Sequence, residues 1–162
     1  MVGLVAAADL EAVLAPFAPW LGVWEGEGVG RWSDPPFRYW ERLSLQAVPS
    51  RALLAWDQRT EVRDSGELSH AERGYLRLLP DSRVELVLAI PAGYTEIQVG
   101  GLEGGRLELR PGPLGVTPSA RRLDQVRRRL ELVGPELIHE VAIAVGEGPA
   151  AAHVSSRLRR VS

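Results

Sequence analysis

The sequence predicts an all-β protein, a sandwich or a barrel, with a short helix ahead of the first strand. Ten short apolar or alternating segments follow one another, separated by turn residues at near-regular spacing. This spacing is typical of antiparallel all-β folds and not of βαβ units. The first of these segments contains several glycines, and the apolar residues before it recur at helical spacing, which predicts the short helix.

The N-terminal helix is expected over residues 8–18. Asp9 is a candidate N-cap, and the apolar residues recur at helical spacing at positions 10, 13, 14 and 17. Pro16 and Pro19 then oppose continuation of the helix, because proline lacks the backbone N–H that a helix interior uses.

Hairpin connections between the segments would make the sheet antiparallel, and closing it would remove its exposed edges. The candidate strands cover residues 21–32, 37–47, 51–63, 67–79, 83–90, 93–100, 105–110, 120–133, 136–146 and 151–161. The run Pro111-Gly112-Pro113 is interpreted as a turn.

The segment at 120–133 is the one that disagrees with this pattern. Its apolar residues Leu123, Val126, Leu130 and Val133 recur at helical spacing. We interpret it as a strand with a bulge near Val126, chiefly because of the family resemblance described below.

The first strand carries glycine at positions 22, 26, 28 and 30, all on the face that Trp24 shares. Glycine inside a strand marks a sharp bend or a close backbone approach. We therefore expect Trp24 to fill the core at one end of the fold. No helix start and no lysine follow the glycines, so a phosphate-binding loop is disfavoured.

Composition excludes several classes of function. The net charge of −2 argues against nonspecific binding to nucleic acid or to an anionic membrane surface. The chain has no cysteine, and all 19 basic residues are arginine, so thiolate chemistry and a lysine Schiff base are excluded. Neither a basic signal region nor an apolar run long enough for a membrane helix is evident, so a soluble, cytoplasmic protein of one domain over residues 1–162 is expected.

The three histidines, His70, His139 and His153, are the candidate ligand residues. No two of them have the spacing at which two histidines bind one metal ion, i and i+4 on a helix or i and i+2 on a strand. This disfavours a multi-histidine zinc site. Haem needs only one protein imidazole and an apolar cavity. Most arginines, including Arg127–Arg129, are expected on a solvated face, with one or two able to pair with an anion.

Several motifs together resemble the nitrobindin family of haem β-barrels. The stretch Gly22-Val-Trp-Glu-Gly-Glu-Gly28 matches the family's Gly-x-Trp-x-Gly-x-Gly signature, and His70-Ala-Glu-Arg-Gly-Tyr-Leu-Arg77 matches its His-x-Glu-x-Gly-Tyr-Leu-Arg run. The segment that begins at His153 is similar to the one that holds the family's iron ligand. The resemblance implies an antiparallel ten-stranded β-barrel of the lipocalin and fatty-acid-binding-protein type.

The resemblance also implies functional residues. It makes His153 the metal ligand and catalytic centre of a ferric haem b site, and it places Arg121, His70 and Asp34 near the haem. Arg121 stands where the family has a lysine, while His139 and Ile143 stand where a tyrosine and a methionine are expected.

The implied activity is the isomerisation of peroxynitrite to nitrate at ferric haem, with nitric oxide as a further ligand and a homodimer as a possible assembly. A carrier of another apolar ligand and a non-enzymatic haem-based sensor of nitric oxide or peroxynitrite remain the alternatives. The strand pattern raises one difficulty. Strict alternation puts His153 on the opposite face from Val154 and Leu158, unless a bulge intervenes.

Overall fold

The computed structural model describes residues 7–31 and 35–162, and its dominant feature is a closed antiparallel barrel of ten strands. Each strand pairs with the next in sequence, and the last pairs with the first. The strands are β1 (Gly22–Gly30), β2 (Phe37–Ala47), β3 (Leu53–Val62), β4 (Leu68–Leu78), β5 (Arg83–Ile90), β6 (Tyr94–Glu103), β7 (Arg106–Val116), β8 (Gln125–Val133), β9 (Glu136–Ala144) and β10 (Ala151–Arg160). The predicted all-β barrel is confirmed.

The N-terminal helix divides into two parts. Helix α1 covers Ala7–Leu14, and a 3-10 helix continues over Ala15–Trp20, where the two prolines lie. Asp9 lies within the first turn of α1 and is not its N-cap, contrary to the prediction. No helix of the described residues is long and apolar enough to cross a membrane.

The apolar core fills the end of the barrel that the 3-10 helix covers. Trp24 is buried there, as predicted, and its indole Nε1 donates a hydrogen bond to the Trp20 carbonyl at 2.9 Å. Phe17 and Trp20 close this end over a cluster that includes Leu43 and Trp56. Burying these side chains is the main stabilising contribution at this end.

Strands β7 and β8 differ from the prediction. Residues 111–113 do not form a turn but continue β7, which pairs with β8 only as far as Leu109 and with β6 beyond it. Pro111 and Pro113 are tolerated because this stretch has no ladder on its β8 side that needs their missing N–H groups. Residues 117–124 form a loop instead of the start of β8.

The predicted bulge near Val126 is wrong, since β8 pairs with β9 without a register shift. The helical spacing in this segment is coincidental, because Leu123 precedes the strand and Val133 is exposed at its end. A bulge does occur in β10, between Ala152 and Val154. It adds His153 to the strand as an extra residue, so the alternation resumes at Val154.

Candidate functional site

A cavity of about 540 Å³ lies inside the barrel at the end opposite Trp24. Such a volume is in the range of ~300–1,000 Å³ typical of pockets for cofactors and other small molecules. One part of its wall is apolar and consists of Leu123, Val126, Val141, Ile143, Val145 and Val154. All three histidines of the sequence also line this cavity.

The bulge in β10 places His153 on the cavity wall together with Val154, while Leu158 is fully buried in the core. The His153 carbonyl accepts a hydrogen bond from the Arg31 N–H at 2.8 Å, which ties the bulge to the end of β1. The bulge therefore removes the conflict between strict strand alternation and the inward positions of His153, Val154 and Leu158.

Partial burial lowers the pKa of His153, and the nearby charge of His70 lowers it further. The neutral imidazole, which can ligate a metal, is therefore favoured at neutral pH.

His70 is held by a buried ionic network. Its Nε2 lies 3.0 Å from a carboxylate oxygen of Glu72. The guanidinium of Arg128 binds both oxygens of Glu72, at 2.8 and 2.7 Å, and both oxygens of Glu96, at 2.9 and 3.0 Å. Trp56 Nε1 also donates to Glu72, at 3.0 Å. Burial would raise the pKa of Glu72, but the charge of Arg128, the hydrogen bond and charge of His70 and the charge of His139 together outweigh burial, so the pKa is lowered.

A second polar group, here called the floor cluster, consists of Tyr39, Glu41, Gln58, His139 and Ser156. His139 Nδ1 lies 2.7 Å from a carboxylate oxygen of Glu41, and both side chains are almost fully buried. Burial would raise the pKa of Glu41, yet the charge of His139 and hydrogen bonds from His139, Ser156 and Gln58 lower it. Burial, reinforced by the charge of Glu41, raises the pKa of Tyr39, so this residue keeps its hydroxyl proton.

The loop at 117–124 brings Arg121 to the mouth of the cavity. Tyr94 fixes the loop there by donating its hydroxyl hydrogen to the Arg121 carbonyl. The Arg121 side chain is exposed and forms no ion pair with a carboxylate in ranges 7–31 and 35–162, whereas Arg122 pairs with Asp124. Among the described residues, Arg121 is thus a cation at the mouth that no carboxylate neutralises.

Of the four residues that the sequence singles out, the structure brings His153, His70 and Arg121 together around one cavity. Asp34 lies outside the described residues. The three histidines share the cavity without converging, and no group of three or more potential ligand side chains within the described parts of the chain could hold a metal ion.

Sequence reasoning missed the buried charges. Arg128 was expected on the solvated face with its neighbours, but only its neighbours lie outside and Arg128 itself is buried. The available signal was strand alternation. Glu41, Gln58 and Glu72 occupy the same face of their strands as buried apolar residues.

Acid should destabilise this barrel through Glu41 and Glu72. Both carboxyl groups have lowered pKa values in the folded protein. Their contribution to stability is therefore complete above the unfolded pKa of about 4.3 and is lost as the pH falls through the folded values. Each proton taken up differentially should give a slope of about 1.4 kcal/mol per pH unit. Urea unfolding between pH 7 and pH 2 measures this, and a flat profile below pH 4 would contradict it.

The fold and the site define a class of protein: a closed β-barrel with a partly apolar internal cavity, an imidazole on its wall and a cation at its mouth. The family model described as THAP4-like, heme-binding beta-barrel domain matches residues 13–160. The chain belongs to this family of haem-binding β-barrel domains.

Similar proteins agree with this assignment. Peroxynitrite isomerase 1 of Mycolicibacterium paratuberculosis is 38% identical over 157 residues, which cover 94% of this chain and 97% of that protein. Peroxynitrite isomerase 2 of Mycobacterium ulcerans is 38% identical over 160 residues, covering 96% and 99%. The crystal structure of Rv2717c from M. tuberculosis aligns with a TM-score of 0.83 at 32% identity, covering 93% of this chain and 98% of that one.

Proposed function

We propose that this chain binds haem b through His153 and isomerises peroxynitrite to nitrate with the iron in the ferric state. The observation that carries the proposal is the bulge in β10, which puts the imidazole of His153 on the wall of the cavity. The reaction is inferred from the similar proteins, which are named peroxynitrite isomerases.

The residues around the cavity fit a haem. The lowered pKa of His153 favours the neutral imidazole that an iron ligand requires. The apolar part of the wall can receive the porphyrin, and the exposed Arg121 lies at the mouth, where propionates would meet water. Guanidinium pairs with carboxylate through parallel hydrogen bonds.

When bound, ferric haem supplies the Lewis acid and redox centre for the reaction. His153 would ligate the iron, and Arg121 would hold a propionate. The wall formed by Val141, Ile143 and their apolar neighbours would exclude water. Glu72 engages Nε2 of His70 and so leaves Nδ1 as the ring nitrogen for contact with a bound ligand. Nitric oxide is proposed as a further ligand of the same site.

Stopped-flow spectroscopy tests the proposed reaction. Haem-loaded protein should accelerate peroxynitrite decay in proportion to its concentration, with nitrate as the product. Haem-free protein is the control and should leave decay at the spontaneous rate. If the protein binds haem but decay is no faster than with haem-free protein, the isomerase proposal fails and the sensor alternative replaces it. If hemin does not bind at all, both the isomerase proposal and the sensor alternative fail, and the carrier alternative replaces them.

Replacing Arg121 with glutamine should weaken haem retention modestly. Because Arg121 is exposed, its pairing with a propionate is screened by solvent and should contribute only about 0.2–1 kcal/mol, or roughly a 1.5- to 5-fold faster loss of haem. Haem transfer to excess apomyoglobin measures this, and added salt should shrink the difference. Arg127→Gln is the matched control, since Arg127 is exposed on the outer face of β8. Equal rates for Arg121→Gln and wild type at low salt would contradict the assignment.

A further inference from the structure

His70 and His153 lie on strands at opposite sides of the barrel and line the same cavity. His70 is on β4 and His153 is on β10. Around the closed sheet, three strands separate these two on one side and five on the other. A cofactor ligated by His153 would therefore have His70 on its other side. The His70 side chain is 39% exposed, so a small molecule in the cavity can reach it, whereas His139 is almost fully buried.

Glu72 fixes which ring nitrogen of His70 is left for the cavity. An ionised carboxylate can only accept hydrogen bonds, so Nε2 of His70, at 3.0 Å, carries a hydrogen and donates it to Glu72. In the neutral ring, Nδ1 then holds a lone pair and no hydrogen. Because the bond to Glu72 suits the neutral ring and the imidazolium alike, Nδ1 can take up a proton without any rotation of the ring.

Arg128 and Trp56 hold the carboxylate of Glu72 in place. The guanidinium of Arg128 binds both oxygens, at 2.8 and 2.7 Å, and the indole of Trp56 donates to one of them at 3.0 Å. These donors favour the ionised carboxylate, so a proton received by the imidazole would stay there. A carboxylate behind an imidazole acts in this way in catalytic triads, where it selects the tautomer and stabilises the imidazolium without taking the proton.

The proposed reaction supplies a proton for such a base. Peroxynitrous acid, HOONO, is the protonated form of peroxynitrite and has one hydrogen more than nitrate, so its conversion to nitrate releases a proton. The buried carboxylates Glu41, Glu72 and Glu96 are already engaged by arginine or histidine side chains. His70 offers Nδ1 of a partly exposed imidazole instead.

We propose that His70 is the catalytic base that deprotonates peroxynitrous acid, and that Glu72 and Arg128 are the residues that position it. The O–H bond of the acid breaks, its electron pair stays on the oxygen, and the proton forms a bond to Nδ1 of His70. The partly exposed imidazole then returns this proton to water. The proposal rests on haem binding through His153 and deepens the proposed isomerase function.

Cyanide binding to the haem-loaded protein tests the base without peroxynitrite. At neutral pH cyanide is present as hydrogen cyanide, which must lose its proton to bind ferric haem as the anion. Association of cyanide with His70→Ala should be slower by about 100-fold or more, the size of a general-base contribution. Nitric oxide has no proton to lose and should bind His70→Ala no more slowly than wild type. Ser69→Ala is the matched control, since Ser69 is on the same strand and lines the same cavity, and it should bind both ligands as wild type does.

Glu72→Gln tests the positioning role. The amide can donate to Nε2 as well as accept from it, so the wrong tautomer of His70 becomes populated. Cyanide association should then slow by about 10-fold or more, with nitric oxide binding unchanged. Nitrogen NMR shifts of His70 in the haem-free protein, recorded at mildly alkaline pH, should place the hydrogen on Nε2 in wild type and on both ring nitrogens in Glu72→Gln.

Three results would overturn the proposal while haem binding stays intact. Equal cyanide association with His70→Ala and wild type would exclude His70 as the base, and an equal slowing of nitric oxide would assign the effect to access. A His70 tautomer unchanged by Glu72→Gln would exclude the positioning role. If no Soret band forms with hemin, the proposed function fails as well, so the two failures are distinguishable.

Discussion

The His153→Ala protein is expected to lose the Soret band that hemin acquires on binding the wild-type protein. His153 supplies the cavity-wall imidazole that the bulge in β10 presents, and its lowered pKa favours the ligating form. Loss of a hydrogen-bonding partner behind a metal ligand already costs about 10- to 100-fold in metal affinity. Loss of the ligand itself should therefore weaken hemin binding by at least about 100-fold.

The matched control is His70→Ala, the same substitution at another partly exposed histidine of the same cavity. It should retain the Soret band, because Glu72 keeps Arg128 and Trp56 as partners when His70 is removed. Free imidazole added to His153→Ala should restore a ligated spectrum by entering the space left behind. If the band persists in His153→Ala and disappears in His70→Ala, then His70 and not His153 is the iron ligand.

Much of the fold could be predicted because it depends on local patterns. Turn residues separate nearly all the strands at the expected places, and the glycine face of β1 beside Trp24 correctly indicated a core plug. The errors occur where tertiary pairing overrides local signals. Pro111 and Pro113 look like a turn in sequence, yet they continue β7 because β8 has separated from it there.

The site was predictable only in part, for a related reason. Resemblance indicated His153, but nothing in the local sequence marks the bulge that turns it inward. Arg128 lies within a run of three arginines that is typical of a surface strand, and its partner Glu72 is 56 residues away. Only the closed barrel brings such distant inward-facing positions together.

Replacing that arginine, Arg128→Met, should be the most damaging single change to stability. The substitution keeps an apolar stem of similar length but leaves the buried carboxylates of Glu72 and Glu96 without their shared cation. Breaking a buried ion pair by removing one partner typically costs about 3–5 kcal/mol. Urea unfolding of the haem-free protein at pH 7 should show this loss as a lower midpoint at an unchanged slope.

A triple variant, Arg128→Met with Glu72→Gln and Glu96→Gln, separates the cost of stranded charge from the cost of lost packing. If the charge dominates, the triple variant should recover most of the lost stability, because neutral amides are far less costly to bury than carboxylates. Glutamine at position 72 can still accept from Trp56 Nε1, so that contact is retained.

The two variants also decide what the network does. A triple variant as stable as wild type would show that the charges contribute little net stability, and their role would then be to hold His70 and Trp56 in place through Glu72. In that case the triple variant should bind hemin but show an altered peroxynitrite decay rate, because His70 has lost its charged partner. A triple variant no more stable than Arg128→Met would instead assign the loss to packing and contradict the electrostatic account.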